Sequence, residues 1–156
     1  MKIKILAAAV ALTALYSCSE SKKPESAGST APLKTGEASI KGCYLYTVNR
    51  DTFQLAITSN DEKVVEGSLI YNFFEKDDSR GTFTGTYENG ILTVDYRFQA
   101  EGKSSVRQVI FKKTTDGFVE GTGEIKNEDG KEIFANPSSV SYEGGLNYQH
   151  SETCLP

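Results

Sequence analysis

The chain has no tryptophan, one histidine and one methionine among 156 residues. With His150 alone, a zinc site built on several histidines is excluded. No Gly-x-Ser-x-Gly elbow and no Cys-x-x-Cys pair occurs, so neither an α/β-hydrolase relay nor dithiol redox chemistry has its usual scaffold. Basic charge is not in surplus either. The 17 Lys and Arg residues face 21 Asp and Glu, a formal net charge of −4, which argues against nucleic acid as a partner. One strongly apolar run exists, Ile5 to Tyr16, and it falls well short of the roughly 20 apolar residues that span a bilayer. No segment carries a convincing helical period.

What is present begins at the first residue. Met1-Lys2-Ile3-Lys4 is a short basic start, the apolar run follows, and it ends in Leu15-Tyr16-Ser17-Cys18. This layout resembles a bacterial lipoprotein signal peptide with its lipobox: Leu at −3, a small residue at −1, then the cysteine that takes the lipid. An ordinary secretory signal cut after Ser17 is the rival, but Leu15 and Tyr16 fit an A-x-A-like site poorly. The resemblance implies removal of residues 1–17 and acylation of Cys18, with palmitate among the chains. It also implies a place in the bacterial cell envelope. Ser19 rather than Asp follows the cysteine, so the outer membrane is expected over the inner, with the periplasmic or surface face left open. Loss of Lys2 and Lys4 leaves 15 basic against 21 acidic residues, so membrane residence rests on the acyl chains rather than on attraction to anionic lipid.

Residues 18–38 are Ser, Lys, Glu, Pro, Gly and Ala with hardly a large apolar group. Such a segment cannot bury enough surface to offset its ordering entropy. It reads as a lipidated flexible tether with a reach of roughly 25 Å. The remaining 39–156 form one domain, in which turn signals recur: Asn49-Arg50-Asp51, Asn60-Asp61, Asp77 to Gly81, Asn89-Gly90, Glu101-Gly102, Asp116-Gly117 and Asp129-Gly130. Asn-Gly and Asp-Gly mark type I′ hairpins, which need two residues at positive φ.

Between the turns, residues alternate as half-buried strands do. Phe53, Leu55 and Ile57 share a face, as do Val65, Gly67, Leu69, Tyr71 and Phe73, and Leu92, Val94, Tyr96 and Phe98. On the seventh strand Val119, Gly121, Gly123 and Ile125 are assigned inward, and Glu120, Thr122 and Glu124 outward. The expected fold is all-β: an antiparallel meander of about eight strands, either an up-and-down barrel or a strongly curled sheet. The tail from Ser138 to Pro156 is expected to pack across one end.

If Cys18 carries lipid, Cys43 and Cys154 remain. In an oxidising envelope they are expected to form one disulfide joining the two ends of the domain. A redox or catalytic role for either would need partners that this chain does not supply.

Candidate sites are few. His150, near the C-terminus, is expected exposed and idle. The clusters Glu75 to Asp78 and Asn127 to Gly130 lack EF-hand spacing, and turn formation explains them. No metal site and no cofactor is expected. The strand acids Glu66, Asp95, Glu120 and Glu124 are read as outward, keeping the sheet soluble. Arg107 is the residue of most interest, because it shares a face with Val109 and Phe111. Two positions are open to it: solvent at the barrel rim, or the interior, where a guanidinium needs partners such as the hydroxyls of Tyr71 or Tyr96. In the second case Arg107, Tyr71 and Tyr96 become candidate ligand-binding residues.

The domain is similar in architecture to lipocalin-like barrels and to envelope inhibitors of lysozyme, a likeness resting on strand count and turn spacing. The lipocalin Gly-x-Trp signature is absent with the tryptophans. The expected function is a non-catalytic, membrane-anchored lipoprotein that binds a small apolar or anionic ligand in or on the barrel. The alternative is an inhibitor-like interaction protein, meeting a cationic partner through acidic loops such as Asp77-Asp78-Ser79. Replacing the lipid-bearing residue, Cys18→Ser, is expected to move the protein from the membrane to the soluble fraction on cell fractionation. Membrane retention of that variant would refute the lipobox reading.

Overall fold

A computed structural model describes residues 39–100 and 102–156. The signal segment, the tether, Cys18 and Glu101 lie outside these residues. Ten strands follow one another: β1 Gly42–Val48, β2 Asp51–Asp61, β3 Val64–Asn72, β4 Ser79–Glu88, β5 Ile91–Ala100, β6 Lys103–Lys113, β7 Gly117–Glu120, β8 Ile125–Glu128, β9 Lys131–Phe134 and β10 Asn147–Ser151. Asn136 caps a single 3-10 turn, Pro137–Ser139, by accepting from the Ser138 N–H.

Eight of the strands close into an antiparallel barrel. β1 to β7 pair in sequence, β5 with β6 included, and β10 slots between β7 and β1. The Asn-Gly and Asp-Gly signals make the turns their chemistry requires: Asn89 and Gly90 sit at φ 53° and 77°, Asp129 and Gly130 at 53° and 78°. The β2–β3 turn comes later than the sequence suggests, at Glu62 with φ 52°. A bulge displaces it, because β2 carries an extra residue between Ile57 and Ser59.

An eight-stranded barrel is about as wide as its own side chains can fill, and this one is filled. Leu55, Val65, Leu69, Leu92, Phe111 and Phe118 have no exposed surface, and Val94 has 1%. Aromatic rings occupy the end opposite the Asn89-Gly90 turn: Tyr46, Phe73 and Phe98 pack there half-buried. The alternation read for β2, β3 and β5 is therefore the observed one.

The seventh strand and the tail differ from expectation. β7 stops at Glu120, and its core residue is Phe118. Counting in twos from Phe118 turns Glu120 inward, whereas Gly123 and Ile125, assigned inward above, are exposed. The expectation failed because the alternation was continued through Gly121 and Gly123, which belong to a connecting loop. The Asp129-Gly130 turn joins β8 to β9, a hairpin attached to the barrel through a parallel pairing of Val106 and Arg107 with Lys131 and Glu132. The eighth barrel strand comes instead from the tail, as β10.

After β10 the chain crosses the outer surface. Cys154 bonds Cys43 of β1, 111 residues away, the Leu155 N–H donates to Gln54 of β2, and Arg80 of β4 donates to the Pro156 carbonyl. The strap thus spans four strands on the barrel's outside and does not cap an end. Removing the disulfide with Cys43→Ser and Cys154→Ser is expected to cost about 2–5 kcal/mol. Urea unfolding of the variant and of the oxidised chain measures that difference, and an unchanged midpoint would show that the strap carries no stability.

Candidate functional site

Strands β3, β5, β6, β7 and β10 bring a cluster of polar and charged groups into the barrel interior. Tyr71 on β3 and Tyr148 on β10 both donate to Glu120 of β7, at 3.1 and 2.8 Å. Arg107 on β6 lies across the ring of Tyr71 at 4.6 Å and within 5.5 Å of the rings of Tyr96 and Phe98. Tyr96, its register partner on β5, donates to the Leu69 carbonyl at 3.2 Å and meets the Ser79 hydroxyl at 2.9 Å. Tyr96 and Tyr148 have no exposed surface and Tyr71 has 4%.

Of the two positions open to Arg107, the chain adopts the inward one. Alternation along β6 puts it on the face of Val109 and Phe111, both buried. Tyr71 and Tyr96 meet it with their ring faces as cation–π partners, and the Tyr71 hydroxyl also interacts with the guanidinium. Its Nε is fully enclosed and has no hydrogen-bond partner. A buried donor left unpaired costs about 1–3 kcal/mol, so this atom stands out among the described residues.

The electrostatics follow from burial. Burial raises the Glu120 carboxyl above the usual 4.5, against the lowering effects of the Tyr148 hydrogen bond, Arg107 and Tyr71. Tyr71 and Tyr148 are pushed well above 10, again by burial first; next comes the charge of Glu120 for Tyr71, and for Tyr148 the neighbouring Tyr71 and then Glu120. Burial pulls Arg107 down, but Tyr71 and Glu120 more than offset it and the guanidinium stays charged. The cluster thus holds one cation and one carboxyl whose ionisation burial disfavours, with tyrosines that keep their protons.

A gap in the barrel wall exposes it. β7 pairs with β6 as far as Phe111 opposite Glu120, and β9 takes over at Arg107. Between these points the β6 edge has no ladder partner, apart from a Gly121 N–H donated to the Ile110 carbonyl at 2.7 Å. A cleft of about 240 Å³ opens there, lined by Arg107, Val109, Glu120, Ile125, Glu132 and Phe134 among others. A larger cleft of about 650 Å³ lies around Asp78, Arg80, Thr82, Arg97, Gln99 and Ser104. Those six side chains are exposed, so none of them is a buried group left without a partner.

The other residues singled out in the sequence lie elsewhere. His150 is exposed, edge-on to Tyr44 at 5.5 Å. Asp95 ion-pairs with Lys131 on the outer face, and Glu66 and Glu124 are exposed. Asp78 accepts from the Phe73 N–H inside its own loop at 3.1 Å. Glu120 and Tyr148 escaped sequence reasoning: the first through an inverted strand phase, the second because its strand lies within the irregular tail. Phe118, two residues before Glu120, held the signal for the first.

No protein-family model, curated protein or solved structure matches the chain. The assignment of this site therefore rests on its geometry.

The raised Glu120 pKa fixes a pH effect on stability. Above the usual glutamate value the unfolded chain releases this proton before the folded one does, so the folded state binds more protons. Stability is expected to fall as pH rises from 4.5 through the raised folded value, and to level off beyond it. Glu120→Gln removes that segment of the curve, whereas an identical slope in both proteins, by urea unfolding across pH, would mean the carboxyl is not perturbed.

Proposed function

We propose that the chain is a lipid-anchored protein of the bacterial envelope, held on the outer rather than the inner membrane by acyl chains on Cys18. Its barrel serves as a non-catalytic binding module. The ligand is a small molecule presenting an acceptor group, such as a carboxylate, to Arg107 at the flank of the barrel. One observation carries this reading: a charged Arg107, joined to no carboxylate by an ion pair among the described residues, lines an open cleft. A bidentate acceptor in the cleft can meet two guanidinium N–H groups together.

The packed core argues for a ligand on the flank instead of a central lumen. Binding without chemistry is favoured because Tyr71 and Tyr148 hold their protons firmly and donate them to Glu120, leaving no activated nucleophile. Phe98 and Tyr96 support the guanidinium from behind and hold it in one pose, which lowers the entropy cost of binding. The acidic-loop alternative gains less, since Asp78 is already engaged in shaping its own loop.

A panel of small carboxylic and amino acids, screened by thermal unfolding, provides the test. At least one is expected to raise the melting temperature of the wild-type protein and to leave Arg107→Gln unmoved. A wild-type protein indifferent to every acid at roughly tenfold-millimolar excess would discard the reading.

A further inference from the structure

The charges around the cleft narrow the ligand class, an argument that rests on the Arg107 site proposed above. Arg107 and Glu132 are register partners in the parallel β6–β9 pairing, and neighbours in register project to the same face of a sheet. Both line the cleft. Yet none of the ion pairs among the described residues joins them. Opposite charges that share a face and a cavity without closing on each other leave a polar slot between them. Glu120 adds a second carboxyl to the same walls.

A plain anion fits this lining poorly. Whatever Arg107 gains from it, the Glu132 carboxylate in the same cleft repels it, and Coulomb forces are strong in a partly desolvated cavity. A plain cation meets the converse problem at Arg107. A molecule carrying both charges a few atoms apart meets neither. The apolar part of the lining, Val109, Phe134 and the exposed Ile125 at 49%, offers a third point of contact. Three contacts of different kinds in a small cleft match one compact chemical type.

We infer that the slot binds a zwitterionic α-amino acid or a very short peptide with an apolar side chain. The carboxylate takes the guanidinium of Arg107, the ammonium lies toward Glu132, and the side chain covers Ile125, Val109 and Phe134. Covering Ile125 removes apolar surface from water, and this contact adds to the affinity.

Titration calorimetry of the full mature chain in detergent tests this with four probes. L-leucine carries all three features, N-acetyl-L-leucine and isocaproate lack the ammonium, and L-leucinamide lacks the carboxylate. Leucine is expected to bind at least about tenfold more tightly than each of the others, the usual effect of one charge-assisted hydrogen bond. Glu132→Gln, a change at an exposed residue, is expected to weaken leucine by a similar factor and leave N-acetyl-leucine unchanged. Arg107→Lys keeps the charge but removes the planar fork of donors, and is expected to weaken every probe that has a carboxylate. If N-acetyl-leucine or isocaproate binds as well as leucine, or if Glu132→Gln leaves leucine unaffected, the zwitterion inference falls while the Arg107 site stands. If none of the probes binds, or binding is indifferent to Arg107, both fall.

Discussion

Closure of the barrel depends on one late strand. β1 and β7 both have an edge that no neighbour in sequence can cover, and open sheet edges invite pairing with other chains. β10 covers both at once, meeting Leu45, Tyr44 and Cys43 on one side and Gly117, Phe118 and Val119 on the other. The same insertion carries Tyr148 to the centre of the core, against Phe111 at 5.6 Å and Glu120 at 2.8 Å. Closure and site assembly are therefore one event. The disulfide begins three residues after β10 ends and fixes the chain's last turn to β1, so the covalent link sits where separation of β10 would start.

The interior polar cluster works against stability taken alone. A buried charge pair seldom recovers its desolvation cost, and a well-packed apolar set of similar volume is often as stable or more so. Here the recovery is visibly incomplete. Glu120 is served by two tyrosine hydroxyls, whereas Arg107 is served by ring faces and the Tyr71 hydroxyl, with its Nε unmet. Incomplete satisfaction in a core that is otherwise filled marks the place where the interior departs most from a purely structural packing. An arginine kept only for packing would sit in the same aromatic cage without facing an opening.

Much of this was legible in the sequence, and the parts that were not share a cause. β2, β3 and β5 alternate over many residues, so their inward faces could be read from Phe53, Leu69 or Tyr96 by counting in twos. Arg107 was placed with Val109 and Phe111 by the same count, although which way that face pointed needed the fold. β7 has four residues and β10 five, too few for the period to reveal itself. Glu120 was misassigned for that reason, and Tyr148 was not assigned at all. β10 also pairs with β1 at the other end of the domain, and local pattern carries no information about such a pairing. What a single sequence lacked was the register between its beginning and its end.

The shortness of β7 has its own physical origin. Gly121 follows it directly, and a Cβ at that position would lie 2.2 Å from the Val140 side chain. Val140 belongs to the connection that returns the chain toward β10, so the wall must give way there for that segment to pass. Had β7 continued, Thr122 and Glu124 would have completed the ladder on β6 and sealed Arg107 behind it. Instead the chain leaves, makes the β8–β9 hairpin, and rejoins β6 at Arg107 in the parallel sense. A parallel return cannot continue the antiparallel ladder that β7 began, because the two hydrogen-bond patterns do not mesh. The mismatch leaves a few residues of β6 edge uncovered, and that interval holds the cleft. The opening beside Arg107 is thus built into the strand order, and only a change of topology would close it.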